Sequence, residues 1–212
     1  MSLRVYDVKK VSSNKVSVTF LVIIFLAVAL VLLIRFCFGN RGIDESVAPE
    51  HRYDKILEER GAKNGVDPDL LRAVIWRETG GKFDPNMKGA AGEVGLMQIM
   101  QTASATDWAN EKKRSVPTKA QLSDPELNIE IGSWYLGRAL HRWRHYKDAI
   151  TLALCEYNAG YGNTKKWRPE HTNEKVGNRI RIESTQRYVG DILLKYKGYQ
   201  QQKEKAKLKK GK

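Results

Sequence analysis

The sequence predicts a mainly α-helical domain that is preceded by a single transmembrane helix. Residues 16–34 contain no charged side chain, and the segments beyond them carry apolar residues at helical spacing. No run of alternating apolar and polar residues indicates β-strands. Because 42% of the 212 residues are hydrophobic and 29% are charged, most of the chain can form a packed core, which excludes a wholly disordered or collagen-like protein.

The apolar run is long enough to cross a bilayer. At about 1.5 Å per residue, residues 16–34 can span a hydrocarbon core of roughly 30 Å. A buried core helix would be apolar on one stripe, whereas this segment is apolar on every side. A cleavable signal peptide would have a shorter apolar run followed by small residues, but residues 35–38 are Arg, Phe, Cys and Phe. We therefore predict an uncleaved transmembrane anchor over residues 16–38.

Basic residues predict the orientation of this anchor. Four of them precede it: Arg4, Lys9, Lys10 and Lys15. Beyond it, Arg35 and Arg41 stand near acidic residues. The positive-inside rule then places residues 1–15 in the cytoplasm and the rest of the chain outside. This orientation argues against nucleic acid as a partner, although the formal net charge is +13.

Composition divides the outward part into three segments. Residues 39–52, with two glycines, a proline and charges of both signs, are predicted to be a linker. Residues 53–197 are predicted to form the helical domain. Residues 198–212 hold six lysines and few apolar residues, which predicts a solvated, frayed or disordered tail. Our hypothesis for this tail is that it holds the protein near anionic polymers or lipid head groups.

Five segments of the domain have the apolar periodicity of α-helices. They are residues 53–64, 68–78, 126–145, 148–158 and 184–196. The second helix has the clearest start signal, because Asp67 can cap it and Pro68 suits its first position. Gly80 and Gly81 are predicted to end it.

Cysteine and histidine content predicts neither disulfides nor a metal site. Cys37 and Cys155 are too few for a disulfide-dense scaffold and lack the paired spacing of a zinc site, so Cys155 is interpreted as a small buried hydrophobe. The four histidines show no metal-ligand spacing supported by cysteines or acids. We therefore expect no metal and no cofactor.

Glu78 lies where an apolar residue would be expected. Leu71, Ile75 and Glu78 fall at i, i+4 and i+7 and share the core-facing side of one helix. Partial burial and the negative end of the helix dipole both disfavour ionisation and raise the pKa of such a carboxyl. A carboxyl that keeps its proton near neutral pH can protonate a glycosidic oxygen as a general acid. The pattern alone leaves open an exposed glutamate in the last turn.

Two glycine-containing segments follow the helix that carries Glu78. Residues 89–100, GAAGEVGLMQIM, place an amide beside two methionines, which suits an apolar wall for sugars but equally suits core packing. Residues 157–162, YNAGYG, present polar side chains at a helix end before a glycine loop.

These motifs together resemble the soluble lytic transglycosylase family of lysozyme-like enzymes. The helix ending in Glu78 is followed by Phe-Asp-Pro at 83–85, then by GLMQIM at 95–100 and YNAGYG at 157–162, in that order. The resemblance covers roughly residues 53–197 and implies a lysozyme-like α-helical fold. It also implies a bacterial cytoplasmic-membrane enzyme, facing the periplasm or cell wall, that binds peptidoglycan glycan strands. Such enzymes cleave the β-1,4 bond between N-acetylmuramic acid and N-acetylglucosamine without water and leave 1,6-anhydromuramic ends.

The resemblance further implies roles for five residues. Glu78 protonates the leaving oxygen and then takes the proton of the C6 hydroxyl, while the substrate's N-acetyl group stabilises the cationic centre. That assistance removes the need for a second protein carboxylate, and no second acid is obviously placed here. Gln98 and Met97 match residues that line the sugar cleft. Tyr157 matches a tyrosine whose hydroxyl lies near the catalytic carboxyl, with packing as the alternative, and Asn158 supports its turn.

Several positions depart from the family pattern. Pro85 lies two residues farther from the acid than usual, and Gly89 replaces a family serine that contacts the cleft. Ser184 aligns with a family glutamate, while Glu183 sits one place earlier, which rotates a helical side chain by about 100°. Tyr188 resembles the tyrosine of a Tyr-Val pair in the last helix and is interpreted as packing.

Two other functions stay open at this point. A lysozyme-type hydrolase would use water in place of the C6 hydroxyl. A non-catalytic peptidoglycan-binding module would keep the fold without turnover, and only the substitutions at Gly89 and Ser184 favour it. A partner in wall or secretion machinery is conceivable, but the sequence does not identify one.

Overall fold

The computed structural model describes residues 23, 25, 26 and 46–210 of the chain. The predicted anchor over 16–38 lies outside the described residues except for Ile23, Phe25 and Leu26, which are helical and exposed. The predicted cytoplasmic segment 1–15 lies wholly outside them. Within the described part of the chain, no helix is both long enough and apolar enough to span a membrane.

Six α-helices follow one another between residues 46 and 210, so the prediction of a mainly helical domain is confirmed. They are α1 (Asp54–Asn64), α2 (Pro68–Glu78), α3 (Thr106–Lys112), α4 (Pro125–Trp143), α5 (Ala149–Trp167) and α6 (Glu183–Lys210). A π-helical turn at Gln101–Ala105 leads directly into α3. Between residues 46 and 210 the β-structure consists of two isolated bridges, Lys88 with Val94 and Val94 with Ile99.

The helices pack around one hydrophobic core. Helix α4 packs on α5, α2 packs on α6, and α1 contacts both α2 and α4. The centre of the core consists of side chains without exposed surface: Leu57, Leu71, Ile75, Leu96, Ile131, Leu136 and Leu152. Burying apolar side chains of this size contributes roughly 1.5–3 kcal/mol each to folding. This core fixes the helix ends that carry the polar side chains described below.

Helix α2 begins and ends where the sequence predicts. The Asp67 carboxylate accepts a hydrogen bond from the backbone N–H of Asp69 at 2.8 Å, which caps the helix before Pro68. Beyond Glu78, Gly80 and Gly81 have positive φ angles of 58° and 80°, a conformation that favours glycine. Glu78 is therefore held in the last turn of α2.

Helix α5 continues past its predicted end at residue 158. Gly160 interrupts it with φ 79° and ψ 159°, and a second helical segment then runs to Trp167. The kink follows Tyr157 and Asn158, which lie near the end of the first helical segment. The sequence pattern located this break correctly but did not reveal that a helix resumes beyond it.

Residues 200–209 of the predicted tail are exposed, as expected of a solvated segment, but the described part of the tail is helical and not frayed or disordered, because α6 continues to Lys210. Tyr199 is buried, and its hydroxyl donates a hydrogen bond to the Glu50 carboxylate at 3.1 Å. Farther along, Lys207 pairs with Glu204 at 3.0 Å across one helical turn. Lysine, glutamine and glutamate are good helix formers, so a helix anchored at Tyr199 can extend into solvent.

A buried asparagine fixes the GLMQIM segment to α4. The side-chain amide of Asn128 donates hydrogen bonds to the carbonyls of Val94 and Leu122, each at 2.8 Å. Its oxygen accepts the N–H of Met97 at 2.8 Å. Gly95 leaves room for this amide, because a Cβ at Gly95 would lie 2.3 Å from the Asn128 nitrogen. One side chain thus positions the loop that faces Glu78.

Candidate active site

A cleft of about 440 Å³ opens between the helices and the loop that contains GLMQIM. Helix α2 contributes Glu78, α5 contributes Tyr157 and Asn158, and the loop contributes Gln98. Its other lining residues are Gly89, Ala90, Glu93, Met100, Ala103, Ser104, Asp107, Tyr135 and Gly160. Four of the five predicted site residues therefore line a single cleft, although they are separated by up to 80 positions in sequence.

The environment of Glu78 favours its protonated form. Burial raises the pKa of Glu78 from 4.5 to about 7, although a hydrogen bond from Tyr188 and the positive charge of Arg77 act in the opposite direction. The negative charge of Glu93 adds to the rise in this pKa. A carboxyl with a pKa near 7 can both donate and accept a proton at neutral pH.

Tyr188 contacts Glu78 directly, so its interpretation as a packing residue is wrong. The Tyr188 hydroxyl donates a hydrogen bond to Oε1 of Glu78 at 2.7 Å, and the tyrosine is 3% exposed. The Arg77 guanidinium lies over the Tyr188 ring at 5.6 Å. The sequence did hold a signal for this contact, because a tyrosine on the apolar face of a helix needs a hydrogen-bond partner for its hydroxyl.

Tyr157 connects α5 to the loop rather than to the carboxyl. Its hydroxyl donates a hydrogen bond to the carbonyl of Met97 at 2.7 Å, and its ring meets the edge of Tyr135 at 5.7 Å. Burial, followed by the charge of Glu78, raises the pKa of Tyr157 well above its usual value. The Tyr157 hydroxyl therefore stays protonated and keeps the loop at a fixed distance from Glu78.

Met97 and Gln98, which are neighbours in GLMQIM, lie in different surroundings. The Met97 side chain is fully buried against Gly132, so the prediction that it contacts substrate does not fit its position. Its backbone carbonyl accepts the Tyr157 hydroxyl, and its N–H donates to Asn128. Gln98 adopts a positive φ of 47° and lines the cleft. Its amide nitrogen donates to the carbonyls of Gly95 at 2.8 Å and Met87 at 3.3 Å.

Asn158, which lies just before the kink in α5, connects this helix to the start of α6. Its side-chain oxygen accepts a hydrogen bond from the buried Thr185 hydroxyl at 2.8 Å. The neighbouring Ser184 is exposed, and Glu183 is exposed and pairs with Arg187. Neither Ser184 nor Glu183 lines the cleft, so Glu183 does not replace the family glutamate.

Glu93 is a second carboxyl in the cleft, contrary to our expectation that no second acid is placed there. Its Oε2 accepts a hydrogen bond from the N–H of Ala91 at 3.0 Å. A Cβ at Gly89 would lie 2.3 Å from that oxygen, so a serine at residue 89 would collide with Glu93. The sequence shows both residues, but only the folded loop shows that they share one space.

The Cys155 thiol and the metal-ligating side chains of the described residues form no second reactive site. Burial raises the pKa of the Cys155 thiol to about 12, which keeps it protonated inside the core. Within residues 46–210 and the three described residues before them, no three side chains from His, Cys, Asp or Glu are grouped so that they could hold a metal ion.

Comparison with known proteins identifies relatives of this domain. Residues 55–180 match the family model described as the transglycosylase SLT domain. The endo-type membrane-bound lytic murein transglycosylase A of Salmonella paratyphi B is 40% identical over 82 residues, which cover 38% of this chain and 39% of that relative. The protein of the same name from Salmonella typhimurium gives the same values. The match thus spans well under half the length of these relatives.

Solved structures share the fold. The lytic transglycosylase Slt of Pseudomonas aeruginosa, solved as an inactive mutant, superposes with a TM-score of 0.64 at 19% identity, over 84% of this chain and 30% of that one. The 70 kDa soluble lytic transglycosylase of Escherichia coli gives a TM-score of 0.57 at 23% identity, over 69% of this chain and 24% of that one.

Proposed function

The chain belongs to the transglycosylase SLT domain family, and on that premise we propose that it is a membrane-anchored lytic transglycosylase that cleaves peptidoglycan. The observation that carries this proposal is the half-buried Glu78 carboxyl, which faces a cleft and receives a hydrogen bond from Tyr188 at 2.7 Å. Relatives named as murein transglycosylases support the substrate class.

In the first step, Glu78 acts as the general acid. Its proton passes to the oxygen of the β-1,4 bond between N-acetylmuramic acid and N-acetylglucosamine. The bond from C1 to that oxygen breaks, and its electron pair stays on the leaving oxygen. Burial, which raises the pKa of Glu78 to about 7, keeps the proton available until the sugar accepts it.

In the second step, the Glu78 carboxylate acts as the general base. It takes the proton of the C6 hydroxyl of the same muramyl residue, whose oxygen then bonds to C1. This closes the 1,6-anhydro ring and returns the proton to Glu78, so that no water is consumed. Tyr188 donates to the carboxylate at 2.7 Å and holds it in place between the steps.

The cleft offers polar contacts and aromatic surface that suit a sugar chain. Gln98 and Asn158 contribute amide groups to the cleft that Glu78 faces, and Tyr135 lines it with its half-buried ring. Sugars bind such sites through hydrogen bonds and through contact of their apolar faces with aromatic rings. We propose that Gln98, Tyr157 and Asn158 contact the substrate. The buried Met97 supports the loop that carries Gln98.

Product analysis tests this function. Purified peptidoglycan digested by wild type is expected to yield muropeptides with 1,6-anhydromuramic ends, each lighter by one water than a hydrolysis product in mass spectrometry. Glu78→Gln is expected to lower the rate by about 10³-fold or more. The control is Glu58→Gln, which removes one exposed acid on α1 and is expected to retain wild-type activity.

Other outcomes of this digestion identify the alternatives. Products that contain the added water would assign a lysozyme-type hydrolase. Binding to peptidoglycan without any release of muropeptides by wild type would assign a non-catalytic module, and both results would overturn the proposal.

We propose membrane anchoring through residues 16–38, with residues 1–15 in the cytoplasm. The uncharged apolar run and its preceding basic residues support this topology. The full chain is expected to stay with bacterial membranes after washing with alkaline carbonate, and a chain starting at residue 39 is expected in the soluble fraction. Release of the full chain by carbonate would contradict the anchor.

A further inference from the structure

Three acidic side chains line the same cleft from different elements, Glu78, Glu93 and Asp107 of α3, and the charge of Glu93 acts on Glu78. Glu78 comes from the end of α2, whereas Glu93 comes from the loop that precedes GLMQIM. Burial is the main cause of the raised pKa of Glu78, and the negative charge of Glu93 adds a smaller contribution in the same direction. The cleft therefore holds an acid that keeps its proton and a second acid close to it.

The loop is shaped around Glu93. Gly89 lacks the side chain that would meet Oε2 of Glu93 at 2.3 Å and Oε1 of Gln98 at 2.6 Å. The backbone N–H of Gly89 donates to the carbonyl of Glu93 at 2.9 Å, and the N–H of Ala91 donates to its carboxylate at 3.0 Å. Residues 89–93 thus form a tight turn that directs one carboxylate into a space that only glycine leaves free.

The position of Glu93 allows it to carry a charge. Its side chain is half-buried, so water still reaches it and the cost of desolvating a carboxylate is reduced. Among residues 46–210, no lysine or arginine forms an ion pair with Glu93 within 4.0 Å, although the Lys119 amine is close to the turn, since it would lie 3.0 Å from a Cβ at Gly92. The charge of Glu93 is therefore directed to the cleft rather than neutralised by a fixed partner.

We propose that Glu93 is the second carboxylate of the reaction and that it stabilises the positive charge that develops on the muramyl ring as the glycosidic bond breaks. This inference rests on the proposed function. Glu93 forms no bond and transfers no proton; it contributes a negative charge on the side of the ring that faces the loop. Preorganised charges directed at the place where charge develops in the transition state are among the largest contributions to catalysis. Stabilisation by the substrate's N-acetyl group and by Glu93 can act together.

The pH dependence of the enzyme follows from the groups around these two acids. They are Arg77 on α2, Asp107 on α3, Tyr135 on α4, Tyr157 on α5, Tyr188 on α6 and Lys119 beside the loop. Because kcat/KM reports the free enzyme, its fall at alkaline pH reports loss of the Glu78 proton. Removing the negative charge of Glu93 lowers the pKa of Glu78, so the alkaline fall moves to lower pH.

The test compares Glu93→Gln, Glu93→Asp and Glu58→Gln with wild type in peptidoglycan digestion between pH 5 and 9. Glu93→Gln is expected to lower kcat by about 10²-fold and to move the alkaline fall of kcat/KM down by a few tenths of a pH unit. Glu93→Asp keeps the charge and is expected to keep the wild-type position of that fall. Glu58→Gln is expected to match wild type in both measurements.

Two results would overturn the role of Glu93. In one, Glu93→Gln keeps the kcat and pH profile of wild type; in the other, Glu93→Asp and Glu93→Gln show the same loss and the same profile, as a purely structural role requires. Thermal unfolding of each variant shows whether it is folded, and Glu93→Asp provides the comparison if Glu93→Gln is not. If wild type itself forms no anhydro product, the proposed function fails, which is a separate outcome from a wild-type enzyme that is indifferent to Glu93.

Discussion

The two walls of the cleft are held in different ways. The helical wall consists of Glu78, Tyr157 and Tyr188, whose side chains project from α2, α5 and α6 over a packed core. The loop wall consists of residues 87–100, where backbone hydrogen bonds and positive φ angles, such as 84° at Gly95 and 47° at Gln98, set the geometry. In the helical wall, burial keeps the proton on Glu78. In the loop wall, the turns set the shape of the cleft and the position of the Glu93 charge.

This difference indicates which wall tolerates change. A side chain of the helical wall is fixed by the burial that also raises the pKa of Glu78, so a substitution there alters both packing and proton transfer. In the loop wall, Gly89 stands where the related pattern has a serine, and the Glu93 carboxylate lies where a Cβ at residue 89 would come within 2.3 Å of it. We infer that proton transfer depends on the helices, while contacts and charge beside the sugar depend on the loop.

The largest predicted effect removes the side chain that attaches the loop wall to α4. Asn128→Ala removes three buried hydrogen bonds and leaves the Leu122 carbonyl and the Met97 N–H without these partners, while the Val94 carbonyl keeps the N–H of Ile99; we expect the free energy of unfolding to fall by about 3–4 kcal/mol. Urea denaturation measures this loss. The matched control is Asn163→Ala, which removes a single half-buried hydrogen bond to the carbonyl of Ala159 and is expected to cost about 1 kcal/mol. Equal losses in both variants would show that the loop wall does not depend on Asn128.

The sequence predicted most of the helical wall because its signals are local. The Asp67 cap, the apolar stripe and the two glycines beyond Glu78 fix where α2 begins and ends. Glu78 could therefore be assigned to a core-facing helix end before any fold was known. Tyr188 could not be assigned in the same way, because 110 positions separate it from Glu78 and only tertiary packing brings α6 onto α2.

The loop wall was predicted less well, since its geometry depends on backbone angles that the sequence pattern does not specify. GLMQIM identified the segment, but it did not show that Met97 turns inward against Gly132 while Gln98 lines the cleft. The same limit applies to Glu93, whose direction depends on the turn from Gly89. The helical form of the tail was missed for another reason: the buried contact of Tyr199 with Glu50 anchors a helix, which lysines and glutamines then continue.

The second predicted effect is the pH-dependent loss of folding stability caused by the Glu78 carboxyl in the helical wall. The pKa of Glu78 rises from 4.5 to about 7 on folding, so the native state binds this proton more tightly than the unfolded state does. The stability that this bound proton gives to wild type is therefore fully present below about pH 4.5. It is lost as the pH rises through about 7. Glu78→Gln removes the charge, and we expect it to gain about 3 kcal/mol over wild type between pH 4 and pH 8.

Urea denaturation of both proteins at the two pH values measures this gain. Glu58→Gln is the control, because it removes an exposed carboxyl of α1 and is expected to follow wild type at both pH values. A Glu78→Gln variant whose stability relative to wild type is the same at pH 4 and pH 8 would show that the carboxyl is not held in its protonated form by burial.

The smallest predicted effect separates the two walls by the direction of a pH shift. The hydrogen bond from Tyr188 lowers the pKa of Glu78, whereas the charge of Glu93 raises it. Tyr188→Phe should therefore move the alkaline fall of kcat/KM to higher pH, opposite to Glu93→Gln, and lower kcat by about tenfold because the carboxylate loses its fixed orientation. Tyr196→Phe is the control, since its hydroxyl bonds to Asp67 away from the cleft at 2.9 Å. If Tyr188→Phe and Glu93→Gln moved the alkaline fall in the same direction, the two walls would not act on the pKa of Glu78 in opposition. The loop would then influence Glu78 through its position and not through its charge.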